Sequence, residues 1–243
     1  METQTQGLTN QEIQMFNEIS KIFNKYKGSC REFGLFHVHD HFDISNNEVL
    51  YETNNPQERT HQVIVKNKND VKNAKDHKSL LGIEGNYSRK YFQVYFKELG
   101  WRRRAPRVKE DIPNLLLDIG YTYLFNFVDA VLRVYGFDTY KGVYHKLFFA
   151  RKSLACDLME PFRPIIDRKL RAAWNLGQIK KEDFKYWNRR YQLPWQVSNT
   201  YSKLFFETIM DEKEEIFLYI RDYYRYIMNP DENEFPIIDK KSS

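Results

Sequence analysis

The residues best suited to chemistry lie in one stretch, GVYHKLFFARKSLACDLMEPFRP, from Gly142 to Pro164. It holds one histidine, His145, and two carboxylates, Asp157 and Glu160, amid apolar and basic residues. Spaced three apart, the carboxylates fall on one face of a helix. Two carboxylates held close need a cation, a shared proton or open water. A divalent metal meets that need, and a nearby imidazole completes its shell. Arg151, Lys152 and Arg163 flank the group and suit a phosphate approaching that metal. Residue types alone leave a second possibility open, that the pair is only a solvated helix face.

The order of motifs narrows the choice. The stretch reads Gly142-Val-Tyr-His145, then Arg151-Lys-Ser153-Leu, then Asp157-Leu-Met-Glu160-Pro-Phe-Arg163, and upstream LLGIEGNYSRKYF supplies Glu84 between two glycines. This resembles the signature of the CRISPR-associated adaptation integrases, the Cas-one family, which insert new spacers into CRISPR arrays. The likeness runs from about Val71 to Phe184 with its motifs in order. It implies a Mg²⁺ or Mn²⁺ ion held by Glu84, His145 and Glu160. Asp157 would be the neighbouring catalytic carboxylate that orients the histidine or a metal-bound water. The implied reaction is transesterification, a DNA 3′-hydroxyl attacking a phosphodiester of the repeat. A histidine in the shell favours Mn²⁺ somewhat over Mg²⁺. Two other classes stay open: a metal-dependent DNA endonuclease using water, and a non-catalytic DNA-binding subunit. The partners implied are double-stranded DNA (spacer fragment and CRISPR repeat), a second copy of the chain as homodimer or dimer of dimers, and the small Cas-two protein.

Other residues bear on the DNA. Trp101-Arg102-Arg103-Arg104-Ala-Pro-Arg107 is the densest basic cluster in the chain. Its arginines can pair with phosphates and its tryptophan can stack on an exposed base. The alternative is a solvated loop between helices. Arg151, Lys152 and Arg163 join Arg102, Arg103, Arg104 and Arg107 as expected DNA-binding residues. The formal net charge of +5 fits a polyanionic partner without requiring one.

The elements that must position these residues follow from pattern. At 243 residues the chain can bury one good core, or one core and a small satellite. With 17 Tyr and 18 Phe against only 10 Gly, the composition favours aromatic-packed helices. A capping box at Thr9–Glu12 starts a helix expected to reach about Lys25. Period-two runs between Phe33 and Val65 then predict three short strands, similar to a shortened form of the family's β-rich dimerising domain. Within them His37, His39 and His41 would share one strand face, as a metal cluster or as a polar face. A charged passage leads into the helix carrying Glu84, where Gly82 and Gly85 suggest close approach of another backbone or of DNA.

Asp111 opens a buried helix expected to run to Tyr135, closed by Gly136. A helix over Ile165–Leu176, with Asp167, Arg168, Lys169 and Arg171 exposed, follows the signature. One last long helix is expected from Ser198 to Met228. The fold class is therefore α+β by segment: residues 1–70 a helix plus a small β-rich domain, residues 71–228 a larger all-α catalytic domain, residues 229–243 a mobile tail. Cys30 and Cys156 give no disulfide framework. The start of the chain lacks a signal-peptide pattern and no segment reads as a membrane span, so the expected place is the cytoplasm, away from membranes.

Overall fold

The computed structural model describes residues 77–105, 108–145 and 148–236. The expected N-terminal helix and β-rich domain, the three histidines 37, 39 and 41, and Arg107 lie outside them. The described elements are α1 (His77–Tyr95), α2 (Ile112–Val134), α3 (Ser153–Met159), α4 (Arg163–Asn175), β1 (Lys185–Trp187), β2 (Arg190–Gln192), α5 (Trp195–Asp211) and α6 (Lys213–Met228). Short 3₁₀ turns sit at Lys97–Leu99, Glu160–Phe162 and Lys181–Asp183. The helices expected around Glu84, at Asp111–Tyr135 and after Ile165 are all present, the latter two within a residue or two of the expected bounds.

Two expectations need correction. The final helix is two, broken at Glu212, which leaves helical geometry with φ −99° and ψ 6°. The catalytic region is also not wholly helical, because β1 and β2 pair as an antiparallel hairpin.

The described residues fall into two compact units. One takes residues 77–121 and 160–208. Its aromatic core stacks Phe92 on Phe96 and Trp101, with ring centroids 5.7 and 5.4 Å apart. Trp101 is thus buried, and the expectation that it stacks on a DNA base does not hold: its ring face is already used. Gly120 of α2 marks the tightest packing. A Cβ there would run into Ile166 Cγ2 of α4 and lie 3.0 Å from Phe205 Cδ1 of α5, so only glycine lets these helices meet. Asp167, expected on the solvent face of α4, is fully buried and accepts hydrogen bonds from the Tyr121 and Tyr91 hydroxyls.

The other unit takes residues 122–159 and 209–236. The second half of α2 supplies Phe127, Val128, Val131 and Leu132 to its core, and α6 supplies Ile216, Phe217 and Ile220. Tyr135 packs at a tilt against Phe217 and Tyr224, and Phe137 against Tyr223. Beyond α6, Phe235 of the expected tail packs edge-on against Tyr223 and Tyr226. By length and composition alone α2 could cross a membrane, unlike the expectation from sequence. Most of it is buried inside the protein, as a core helix would be.

Candidate active site

Asp157, near the end of α3, organises a loop twelve residues upstream. Its carboxylate accepts from the backbone N–H of Val143 (2.7 Å), Tyr144 (2.9 Å) and His145 (3.2 Å), and pairs with His145 Nδ1. Three successive amides aimed at one carboxylate form a nest that fixes the loop to Asp157. Gly142 is what lets the loop close. A Cβ on it would meet His145 O at 2.5 Å, Asp157 Oδ2 at 2.7 Å and Ser153 Cβ at 2.7 Å. The carboxylate also fixes the histidine's tautomer: a proton on Nδ1, donated to Asp157, leaves the lone pair on Nε2. Next to this loop, Lys152 reaches Asp129 of α2 at 2.8 Å and lies over the Phe125 ring. Asp129 was not singled out from the sequence. Its signal is an acid set in the apolar second half of α2, which needs a cation once buried.

Glu160 stands in the 3₁₀ turn that joins α3 to α4, so its expected shared face with Asp157 is not kept: the helix changes type between them. Glu160 takes Arg163 Nη1 on both oxygens, at 3.2 and 3.0 Å. The Arg163 guanidinium lies 4.1 Å from the Tyr121 ring centre and is fully buried. This differs from the expectation that Arg163 meets a phosphate: it is the buried counter-charge of Glu160. Glu84, on α1, is also buried. Gly82 and Gly85 beside it are exposed, and a Cβ on either would meet nothing within 4 Å, so no described backbone approaches them.

Glu84 and Glu160 belong to one unit, His145 and Asp157 to the other. Among the described residues no three His, Cys, Asp or Glu side chains form a ready metal-holding group. As donors, two buried carboxylates and an imidazole with its lone pair on Nε2 suit Mn²⁺ or Mg²⁺.

The basic segment divides by residue. Arg102 is exposed. Arg103 forks onto Glu110, with Nη2 at 2.9 Å, and holds that carboxyl below the usual carboxylate range. Arg104 is largely buried: its guanidinium reaches Asn114 at 3.0 Å and Asp118 at 2.5 Å and ties the segment to α2. Burial pushes Asp118 up, against the pull of Arg104.

The family model for the CRISPR associated protein Cas1 matches residues 44–207, more than half of the chain. The chain belongs to the Cas1 family. Among curated Cas1 relatives, a Cas4 exonuclease/Cas1 endonuclease fusion of Geobacter sulfurreducens is 38% identical over 116 residues, covering 43% of this chain and 21% of that protein. The Cas1 endonuclease of Leptospira interrogans is 34% identical over 128 residues, half of each chain. The match spans between about a fifth and a half of such relatives. Solved structures with the same fold include a casposase bound to its integration product, with TM-score 0.64 and 23% identity over 76% of this chain and 61% of that one. A chain of a Cas6-RT-Cas1–Cas2 complex gives TM-score 0.66 and 28% identity, covering 76% of this chain and 22% of that one.

Proposed function

We propose that this Cas1-family chain is a metal-dependent DNA integrase of CRISPR adaptation, joining the 3′-hydroxyl of a captured fragment to a phosphodiester of the repeat. The observation that carries this is His145, buried, with its Nδ1 on a carboxylate that three backbone amides hold in place. A histidine fixed this rigidly is poised to present Nε2 to a metal or a substrate oxygen. Glu84, His145 and Glu160 would hold a Mn²⁺ or Mg²⁺ ion, which when bound supplies positive charge opposite the phosphate in the transition state. Asp157 orients His145. Arg163 spreads the charge of Glu160, so that the carboxylate is tolerated in an apolar surround before substrate arrives. In transesterification one phosphodiester forms as another breaks, so no outside energy source is needed.

Double-stranded DNA as the substrate is supported by the integration product bound to the casposase of the same fold. The Cas6-RT-Cas1 neighbour is part of a complex with Cas2, which supports a small Cas2 partner for this chain. A homodimer, or a dimer of dimers, would give two sites for the two ends of a fragment.

The test is covalent joining of a labelled fragment to repeat DNA. Glu84→Gln, His145→Ala and Glu160→Gln should each abolish joining while DNA affinity stays within about twofold, because affinity rests on the basic residues. Glutamine at 160 keeps the hydrogen bond to Arg163, so loss of joining there is not loss of folding. The second reading, a DNA endonuclease, is favoured by the names of the relatives. It predicts free cleaved ends and no joined product in the same assay. Joining at the normal rate by all three variants would overturn the site.

A further inference from the structure

Among the described residues, three buried acids share the unit that contains α1 and α4: Glu84, Glu160 and Asp167. The proposed site uses the first two. Asp167 is the most deeply buried of the three, with no exposed surface. A carboxylate so placed needs opposite charge or hydrogen bonds around it, and an apolar side chain would fill the same space at less cost.

The contacts of Asp167 lead step by step to Glu160. Asp167 stands one turn beyond Arg163 on α4, so the two side chains lie on one helix face. Its Oδ1 accepts from the Tyr121 hydroxyl of α2, and its Oδ2 from the Tyr91 hydroxyl of α1 at 3.4 Å. The Tyr121 ring carries the Arg163 guanidinium, 4.1 Å from its centre. Arg163 Nη1 in turn holds both oxygens of Glu160. Tyr121, Arg163 and Glu160 are all shut off from water, so these contacts are not screened.

A phenol that donates to a carboxylate gains electron density on its ring, and a richer ring attracts a cation more strongly. Arg163 therefore has two holders. One is Glu160, three residues before it; the other is the Tyr121 ring, backed by Asp167. The division matters for Glu160. A guanidinium held by that carboxylate alone would compete with any metal for both of its oxygens. Shared with the ring, the same guanidinium leaves Glu160 easier to draw away.

We propose that Asp167, acting through Tyr121, is a positioning residue for Glu160: it takes a share of Arg163, so that the Glu160 carboxylate can be given to a divalent cation. The inference rests on the metal reading above and adds to it a buried acid that is not itself a ligand. Tyr121 is then more than a packing residue of α2, because its hydroxyl and its ring face serve opposite ends of one chain of contacts.

Mn²⁺ binding by the full chain without DNA, followed by the electron paramagnetic resonance of the free ion, tests it. Asp167→Asn still accepts from both hydroxyls but loses the charge, and should weaken Mn²⁺ binding about tenfold, as loss of a partner behind a metal ligand does. Tyr121→Phe keeps the ring under Arg163 and loses only the hydroxyl, so it should weaken binding in the same direction. Tyr91→Phe removes the longer hydrogen bond to the same carboxylate and leaves the Tyr121 ring as it is; its affinity should stay within about twofold of wild type. Joining by Asp167→Asn and Tyr121→Phe should return at about ten times more Mn²⁺, with DNA affinity unchanged throughout. If all three variants bind Mn²⁺ like the wild type and differ only in their unfolding midpoint, Asp167 is a structural residue and the proposal fails. Equal weakening by the two tyrosine variants also overturns it, since that is general loosening of the core. A wild type that takes up no Mn²⁺ overturns the metal reading of the proposed function as well.

Discussion

Replacing Asp157 tests the histidine tautomer, because Asp157 accepts from both the His145 ring and its loop. An asparagine keeps the size of the side chain and can still accept from the amides. Turned that way, however, its NH₂ faces the imidazole, so His145 Nδ1 becomes the acceptor and the proton moves to Nε2. Asp157→Asn should therefore lower joining about 10- to 100-fold at fixed metal concentration and cost about 1–3 kcal/mol in urea unfolding. Full joining by this variant would show that the tautomer does not matter. The chemistry-bearing residues themselves were legible in the sequence, since Glu84, His145, Asp157 and Glu160 are recognised by type and order. Their partners were not. A basic residue reads as exposed until a buried carboxylate claims it, and Arg163 gave only one clue, its position three after Glu160. Asp167 misled for the same reason, as its two tyrosine donors lie 76 and 46 residues away in the chain.

At the scale of elements, periodicity and glycine punctuation carried the helices. Gly136, with φ 79°, stands just past α2 as the sequence suggested, and Gly177, with φ 66°, stands likewise just past α4. The division into α5 and α6 escaped notice because the apolar pattern runs on through Glu212 with no Pro or Gly to mark it. The hairpin escaped because its turn is Asn-Arg where Asn-Gly would be the signal. What the pattern could not show at all is how closely helices approach. Gly120→Ala should cost about 1–3 kcal/mol, as an added methyl group does in a well-packed core. The cost arises from Ile166 Cγ2, so in an Ile166→Ala background the same change should cost much less, a coupling that a double-mutant cycle in urea reads directly. Additive costs would place the strain elsewhere.

At the scale of the whole molecule, titration and charge set the response to solvent. Tyr95 is pushed up to about 12, by burial first and then by the charge of Asp167. Above pH about 10 the unfolded chain loses this proton while the folded one keeps it, so folding is progressively disfavoured as pH rises towards the folded value. Tyr95→Phe should flatten that alkaline loss of stability, read as the unfolding midpoint between pH 9 and about 11.

The net charge of +5 does not by itself predict how many cations meet DNA. Arg102, Arg103 and Arg104 sit side by side in sequence but differ in what already holds them. Arg102 is exposed, Arg103 is exposed but forked onto Glu110, and Arg104 is partly buried against Asn114 and Asp118. Each phosphate neutralised adds about 0.9 to the slope of log affinity against log salt for duplex DNA. Under the proposed function Arg102→Ala should lower the steepness by about one such unit without altering the unfolding midpoint. Arg104→Ala should leave the slope unchanged and lower the midpoint, because Asp118 loses its part-buried ion-pair partner. Arg103→Ala should fall between them, its guanidinium reaching DNA only after it leaves Glu110. Slopes that drop equally for all three would mean that the segment opens on the DNA and that the contacts to α2 do not survive binding.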